Sequence, residues 1–147
     1  MTYDKPLIAC SIGAVSTIIG EIITRGFVLS GIGKYSIYQL ISFIITINRP
    51  TEIVGMIVNF IIGGFLGVVF YYALGILGTD YLVIKSFAAS LTFWFFSEII
   101  FTAIIEGRYI ELRPITDYYI HLVGASGYGI TVGLMFKRFL FQDAKTN

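Results

Sequence analysis

The chain has 147 residues, of which 56% are hydrophobic and 13% charged, with 16 glycines, 13 phenylalanines, 10 tyrosines and a single cysteine. Soluble globular domains carry about 45–50% apolar and about 25% charged residues, so this composition excludes one, and scarce cysteine and proline exclude a disulfide-stapled module or a collagen-like fibre. What is left is an all-α polytopic membrane protein, whose formal charge of +1 supplies no global field to draw nucleic acid.

Crossing a bilayer core of about 30 Å takes roughly 20 apolar residues of helix, and four stretches meet that length. The first, about 6–28, starts at Pro6, whose fixed φ and missing N–H suit a first helical turn, and meets Glu21 and Arg25 near its end. Leu7-Ile8-Ala9-Cys10 within it matches the pattern at which bacterial lipoproteins are cleaved. No apolar segment precedes the cysteine, so a small buried residue is the better reading. Next comes a shorter apolar segment, Tyr35 to Ile47, giving roughly 20 Å of helix, too little to cross. Ser36, Gln39, Ser42 and Thr46 form a mildly polar stripe on it without lysine or arginine. This predicts an interfacial or re-entrant helix packed against the bundle, in preference to a short fifth span. The second span, 53–79, carries no charge before the turn Gly78-Thr79-Asp80. The third, 84–105, is interrupted by Glu98, and the fourth, 118–138, closes on Lys137 and Arg138. The whole chain is expected to form a single membrane domain of four transmembrane helices plus the short one.

Lys5, Lys85, Lys137 and Arg138 sit directly at span ends on one side, which predicts cytoplasmic N- and C-termini in a cell (inner) membrane. That side has only the tight turn at Gly78. The opposite side carries 27–52 and the charged, aromatic loop 106–117, where recognition is expected.

At 1.5 Å per residue, Glu21 and Glu98 lie roughly 8–10 Å below the outer boundary. Asn59 reaches a similar depth, His121 lies about one turn down, Arg25 one turn beyond Glu21, and Ser97 adjoins Glu98. One polar layer of Glu21, Arg25, Asn59, Ser97, Glu98 and His121 is therefore expected, facing inward, because ionisable groups in a span are costly against lipid. Glu21 and Arg25, at i and i+4, can neutralise each other. Glu98 needs Arg25, Asn59 or His121 to come to it, or it stays protonated. The layer reads first as a clamp holding the helices in register and second as a water-accessible vestibule in which Glu98 and His121 titrate or coordinate a solute. Gly63 and Gly67 in the second span, and Ala125, Gly129 and Gly133 in the fourth, are small residues spaced for close helix contact. Ala9, Gly13, Thr17 and Gly20 give the first span a similar stripe.

Gly124-Ala125-Ser126-Gly127 spells the nucleophile motif of rhomboid-type intramembrane proteases. The one histidine, His121, precedes Ser126 by five residues on the same helix, about 140° round it, so the serine lacks a base and no enzyme is expected. No phosphate loop or metal-ligand spacing occurs, and no metal or cofactor is expected. The layout resembles small, four-span, uncharacterised bacterial inner-membrane proteins through Asp117-Tyr-Tyr-Ile-His121-Leu-Val-Gly124 followed by Gly127, Gly129 and Gly133. The resemblance implies an architecture and no activity. The expected role is a structural or accessory subunit, with a homo-oligomer or another membrane protein as partner within the lipid bilayer. The alternative is a small transporter or channel component with an extracytoplasmic polar vestibule around Glu98 and His121. The apolar inner half and the lack of paired Gly/Pro breaks count against a through-path in one protomer.

Overall fold

The computed structural model describes residues 4–141 as five helices. They are α1 (Lys5–Leu29), α2 (Ile37–Thr46), α3 (Glu52–Leu77), α4 (Leu82–Ile104) and α5 (Ile115–Phe139). Four are long and apolar enough to cross a membrane, and α2 is a shorter apolar helix. Each expected span ends within three residues of its observed helix, since apolar length and polar ends set both. The Asp4 side chain caps α1 by accepting from the Leu7 N–H at 3.2 Å, with Pro6 in the first turn. At the far end of α3, Gly78 turns the chain at φ 74°. There the Lys85 ammonium donates to the Leu77 and Gly78 carbonyls at 2.6 and 3.0 Å, meeting the negative end of the helix.

Helix α2 begins and ends at the same end of the bundle. Ten residues rise about 15 Å, and Arg25 near the end of α1 reaches Glu52 at the start of α3 at 2.6 Å. The segment therefore does not span, as its length required. It lies against α3 so closely that a Cβ on Gly55 would collide with the Tyr38 carbonyl.

In the long bundle α1 is central, with α3 on one side and α5 on the other, while α4 packs on α5. These contacts rest on missing side chains. A Cβ on Gly13 would strike the Gly63 carbonyl and come within 2.9 Å of the Gly67 Cα. On the other pair, Gly129 and Gly133 admit α4, and Ser86 and Ser90 donate to the Gly129 and Ala125 carbonyls at 2.7 Å each. Close backbone approach with interhelical hydrogen bonds is how helices associate where lipid removes the hydrophobic drive. A buried apolar cluster including Ala9, Phe70, Leu74, Phe136 and Leu140 closes the end of the bundle near the α3–α4 turn. From that turn α3 and α4 diverge and do not pack along their length. We call the turn's end of the molecule the turn end, and the other, which carries the three longer connections, the loop end.

Replacing Gly13 by Val should destabilise the protein by about 1–3 kcal/mol or more through overpacking of α1 on α3. Gly75, which has open space around it, should accept Ala with no loss. Reversible SDS or thermal unfolding in mild detergent distinguishes the two, and equal midpoints would refute the close-packing account.

Candidate functional site

The polar residues of the loop end form two groups. In the first, α1 caps α2. The N–H of Ile37 donates to Thr24 Oγ1 at 3.1 Å and that of Tyr38 to Glu21 Oε2 at 2.9 Å, so two first-turn donors that a short helix cannot satisfy internally are met from the neighbouring span. The Ser36 N–H goes to the Gln39 side chain at 3.1 Å. Glu21 also accepts from Arg25 Nε at 2.7 Å, and Arg25 continues to Glu52. The expected i,i+4 pair therefore forms. Arg25 does not turn to Glu98, however, because Glu21 and Glu52 already hold its guanidinium. Glu21 and Arg25 act here as a clamp.

The second group is centred on a residue that sequence reasoning did not single out. Arg113, in the connection between α4 and α5, has a fully buried side chain. Its guanidinium bonds Glu98 at 2.7 Å and Glu106 at 3.1 Å, and lies 4.9 Å from the Phe101 ring centroid and 4.5 Å from that of Tyr118. Glu106 accepts in addition from the Arg113 backbone N–H at 2.6 Å, the Tyr118 hydroxyl at 2.8 Å and Thr102 Oγ1 at 3.1 Å. Burial pushes the Glu106 carboxyl up, yet these donors outweigh it and hold the group below the usual carboxylate range. Burial likewise pulls Arg113 down, and Glu98 and Glu106 more than restore it, raising its pKa above the ordinary arginine value. Most of the loop where recognition is expected, including Arg108, Tyr109 and Glu111, is exposed, while Glu106 and Arg113 fold inward. A signal was present: an arginine and two acids within reach of one helix end, where an unpartnered Glu98 called for a cation.

His121 joins this group. Its Nε2 lies 2.9 Å from the Tyr35 carbonyl, and its Nδ1 lies 3.4 Å from Glu98 Oε1. A carbonyl only accepts, so Nε2 carries a hydrogen. One turn earlier on α5, buried Asp117 accepts the Lys34 N–H at 2.7 Å and fixes the α1–α2 connection.

Between the diverging α3 and α4, roofed by α2, lies a cavity of about 600 Å³, within the size of small-molecule sites at roughly 300–1,000 Å³. Asn59, Ser97, Glu98 and His121 line it; Glu21 and Arg25 do not. The wall is otherwise almost wholly apolar, with Ala125 and Tyr128 from α5 and Gly63 and Leu66 from α3 near its floor. Along α4 the lining runs from Ser90 to Ile104, about 21 Å at 1.5 Å per residue. Phe93, Ile100 and Ile104 lie on its rim, each more than a third exposed, so the cavity opens sideways toward where lipid chains would lie. Among the described residues no three His, Cys, Asp or Glu side chains converge as metal ligands. Ser126 Oγ is spent on the Leu122 carbonyl at 2.8 Å.

Replacing Arg113 by Met strands Glu98 and Glu106 in a buried site and should cost about 3–5 kcal/mol. Lys, keeping charge without the planar fork, should recover only part. Because the Glu106 carboxyl is lowered in the folded state, its contribution is complete above the ordinary carboxylate range near about 4.3 and is lost as pH falls below it. Thermal melts in detergent at pH 7 and stepwise to pH 3 check both, and a Glu106→Gln variant should flatten the acid limb. No protein-family model, curated protein or solved structure matches the chain.

Proposed function

We propose that this protein is a membrane-embedded binding protein that receives an apolar or amphipathic molecule laterally into the cavity between α3 and α4. The observation that carries the proposal is the cavity itself, a cleft of about 600 Å³ lined from every helix in a bundle where α1 and α3 otherwise close until glycine backbones touch. An apolar wall with a few convergent polar groups is the usual form of a small-molecule site. Of the two roles expected from sequence, the vestibule around Glu98 and His121 gains support, with the qualification that its wall suits an apolar guest better than a hydrated solute. The chemistry is binding or transfer across part of the bilayer, with no covalent step.

We place the turn end at the cytoplasmic face of a cell inner membrane. Among the described residues Lys5, Lys85, Lys137 and Arg138 stand at the turn end of α1, α4 and α5, whereas at the loop end Arg25, Lys34 and Arg113 are held in ion pairs and Arg49 and Arg108 lie in the connections. Lysine and arginine set directly at the ends of three long helices favour the turn end as the inner side. A second reading, an accessory subunit or homo-oligomer, is favoured by α4, which packs on α5 and leaves Phe95, Phe96 and Ile99 exposed.

Trp94 is the single tryptophan and lines the cavity, so occupancy can be read directly. Titrating an uncharged aromatic compound, triphenylphosphine oxide, into the protein in lipid nanodiscs should change Trp94 emission saturably. Ala125→Phe, which fills the floor, should weaken binding at least about tenfold, or 1.4 kcal/mol. A purely linear response unaffected by Ala125→Phe would refute the binding reading.

A further inference from the structure

We infer that the cavity exchanges a proton held by His121 for a hydrophobic monovalent cation. The inference rests on the binding reading above and names its ligand class.

Arg113, Glu98 and Glu106 form a buried ion-paired group with one positive and two negative charges. Left alone it carries a net negative charge in a low-dielectric layer, a costly condition. His121 is 2% exposed and faces the Glu98 oxygen that Arg113 does not hold. With Nε2–H committed to the Tyr35 carbonyl, a neutral ring would turn the Nδ1 lone pair on a carboxylate oxygen, acceptor against acceptor. A proton on Nδ1 removes that conflict and brings the group to neutrality in one step.

The surroundings offer no substitute for that proton. From α1, Glu21 is held by Arg25 and the Tyr38 N–H. On α5 itself Asp117 accepts from the Lys34 N–H, and its second oxygen has no partner. From α3, across the cavity, comes the uncharged Asn59, and from α2 the Tyr38 phenol, whose pKa burial raises. Arg113 reaches His121 only through Glu98, and Glu106 lies beyond it.

Glu98 and His121 both line the cavity, and the rest of its wall is rich in π-faces, with Phe43, Phe93, Trp94, Tyr109 and Tyr128 among the lining residues. Aromatic faces attract cations, the more so where water is excluded. A hydrophobic cation entering from the lipid side can therefore take the proton's place opposite Glu98 Oε1. On binding, Nδ1–H of His121 is released to solvent, Glu98 stays ionised, and the total charge of the filled site is unchanged. A neutral guest of the same shape would leave the proton where it is.

The test uses tetraphenylphosphonium as the cation and triphenylphosphine oxide as its uncharged counterpart, both titrated into the protein in nanodiscs, with proton release measured calorimetrically in buffers of differing ionisation heat. The expected result for tetraphenylphosphonium is release of about one proton per molecule bound, with affinity that rises with pH. Triphenylphosphine oxide should bind with no proton release. His121→Gln, whose amide can still donate to the Tyr35 carbonyl, should bind the cation with pH-independent affinity and release none. Glu98→Gln should lose the preference for the cation. If that variant does not fold, proton release by the unaltered protein and the His121→Gln profile decide the matter. Cation binding without proton release, or equal pH-independent affinity for both compounds, would overturn the exchange while leaving the binding reading intact. Binding of neither compound would overturn both.

Discussion

A guanidinium buried at the edge of a bilayer must be neutralised where it lies, and much of the loop end is arranged around that requirement at Arg113. Glu98 on α4 and Glu106 just beyond it supply the charge, while Phe101 and Tyr118 supply flat surfaces for the planar cation. Removing either side of this arrangement would leave an uncompensated buried charge, a costly condition. The connection between α4 and α5 consequently adopts a conformation with Glu106 and Arg113 drawn inward. That conformation sets where α5 begins, and so where His121 meets Glu98.

A second constraint works at the other end and in the opposite sense. Around Gly13, Gly63 and Gly67, and again around Gly129 and Gly133, the helices approach until no side chain fits between them. Both contacts involve α1 or α5, the inner pair of the bundle. Helices α3 and α4 are each held from their inner sides and diverge from their common turn, which leaves the cleft between them. Tight packing on one side of each helix and open volume on the other are thus two results of one arrangement. The short helix α2 completes it: held at its start by Thr24 and Glu21, and at its end by Ser42 accepting the Thr51 N–H at 3.0 Å, it roofs the cleft without crossing the membrane.

The meeting of these two features gives the site its character. A cavity of wholly apolar wall would hold any apolar molecule of suitable size. Here one wall carries Glu98, already committed to Arg113 through one oxygen and facing His121 with the other. In the binding reading we propose, the apolar volume would provide affinity for a hydrophobic guest, and the charge balance of the buried group would discriminate among guests by charge.

Much of the architecture was legible from residue order alone. Four apolar stretches of sufficient length became four spans, the segment at 35–47 was too short to cross and did not, and the glycines spaced by four became the contacts of α1 with α3 and of α4 with α5. These follow from local quantities: the rise of a helix, the thickness of a bilayer and the absence of a Cβ. The polar layer was legible only in part. Asn59, Ser97, Glu98 and His121 share the cavity wall, but Glu21 and Arg25, counted into the same layer, face α2 and α3 instead. Counting residues measures height along a helix and carries little about the partner each side chain finds. The choice of Arg113 over Arg25 as partner to Glu98, the turning of a charged loop into the interior, and the cleft itself depend on how helices distant in sequence lean on one another, and so they belong to the tertiary structure alone.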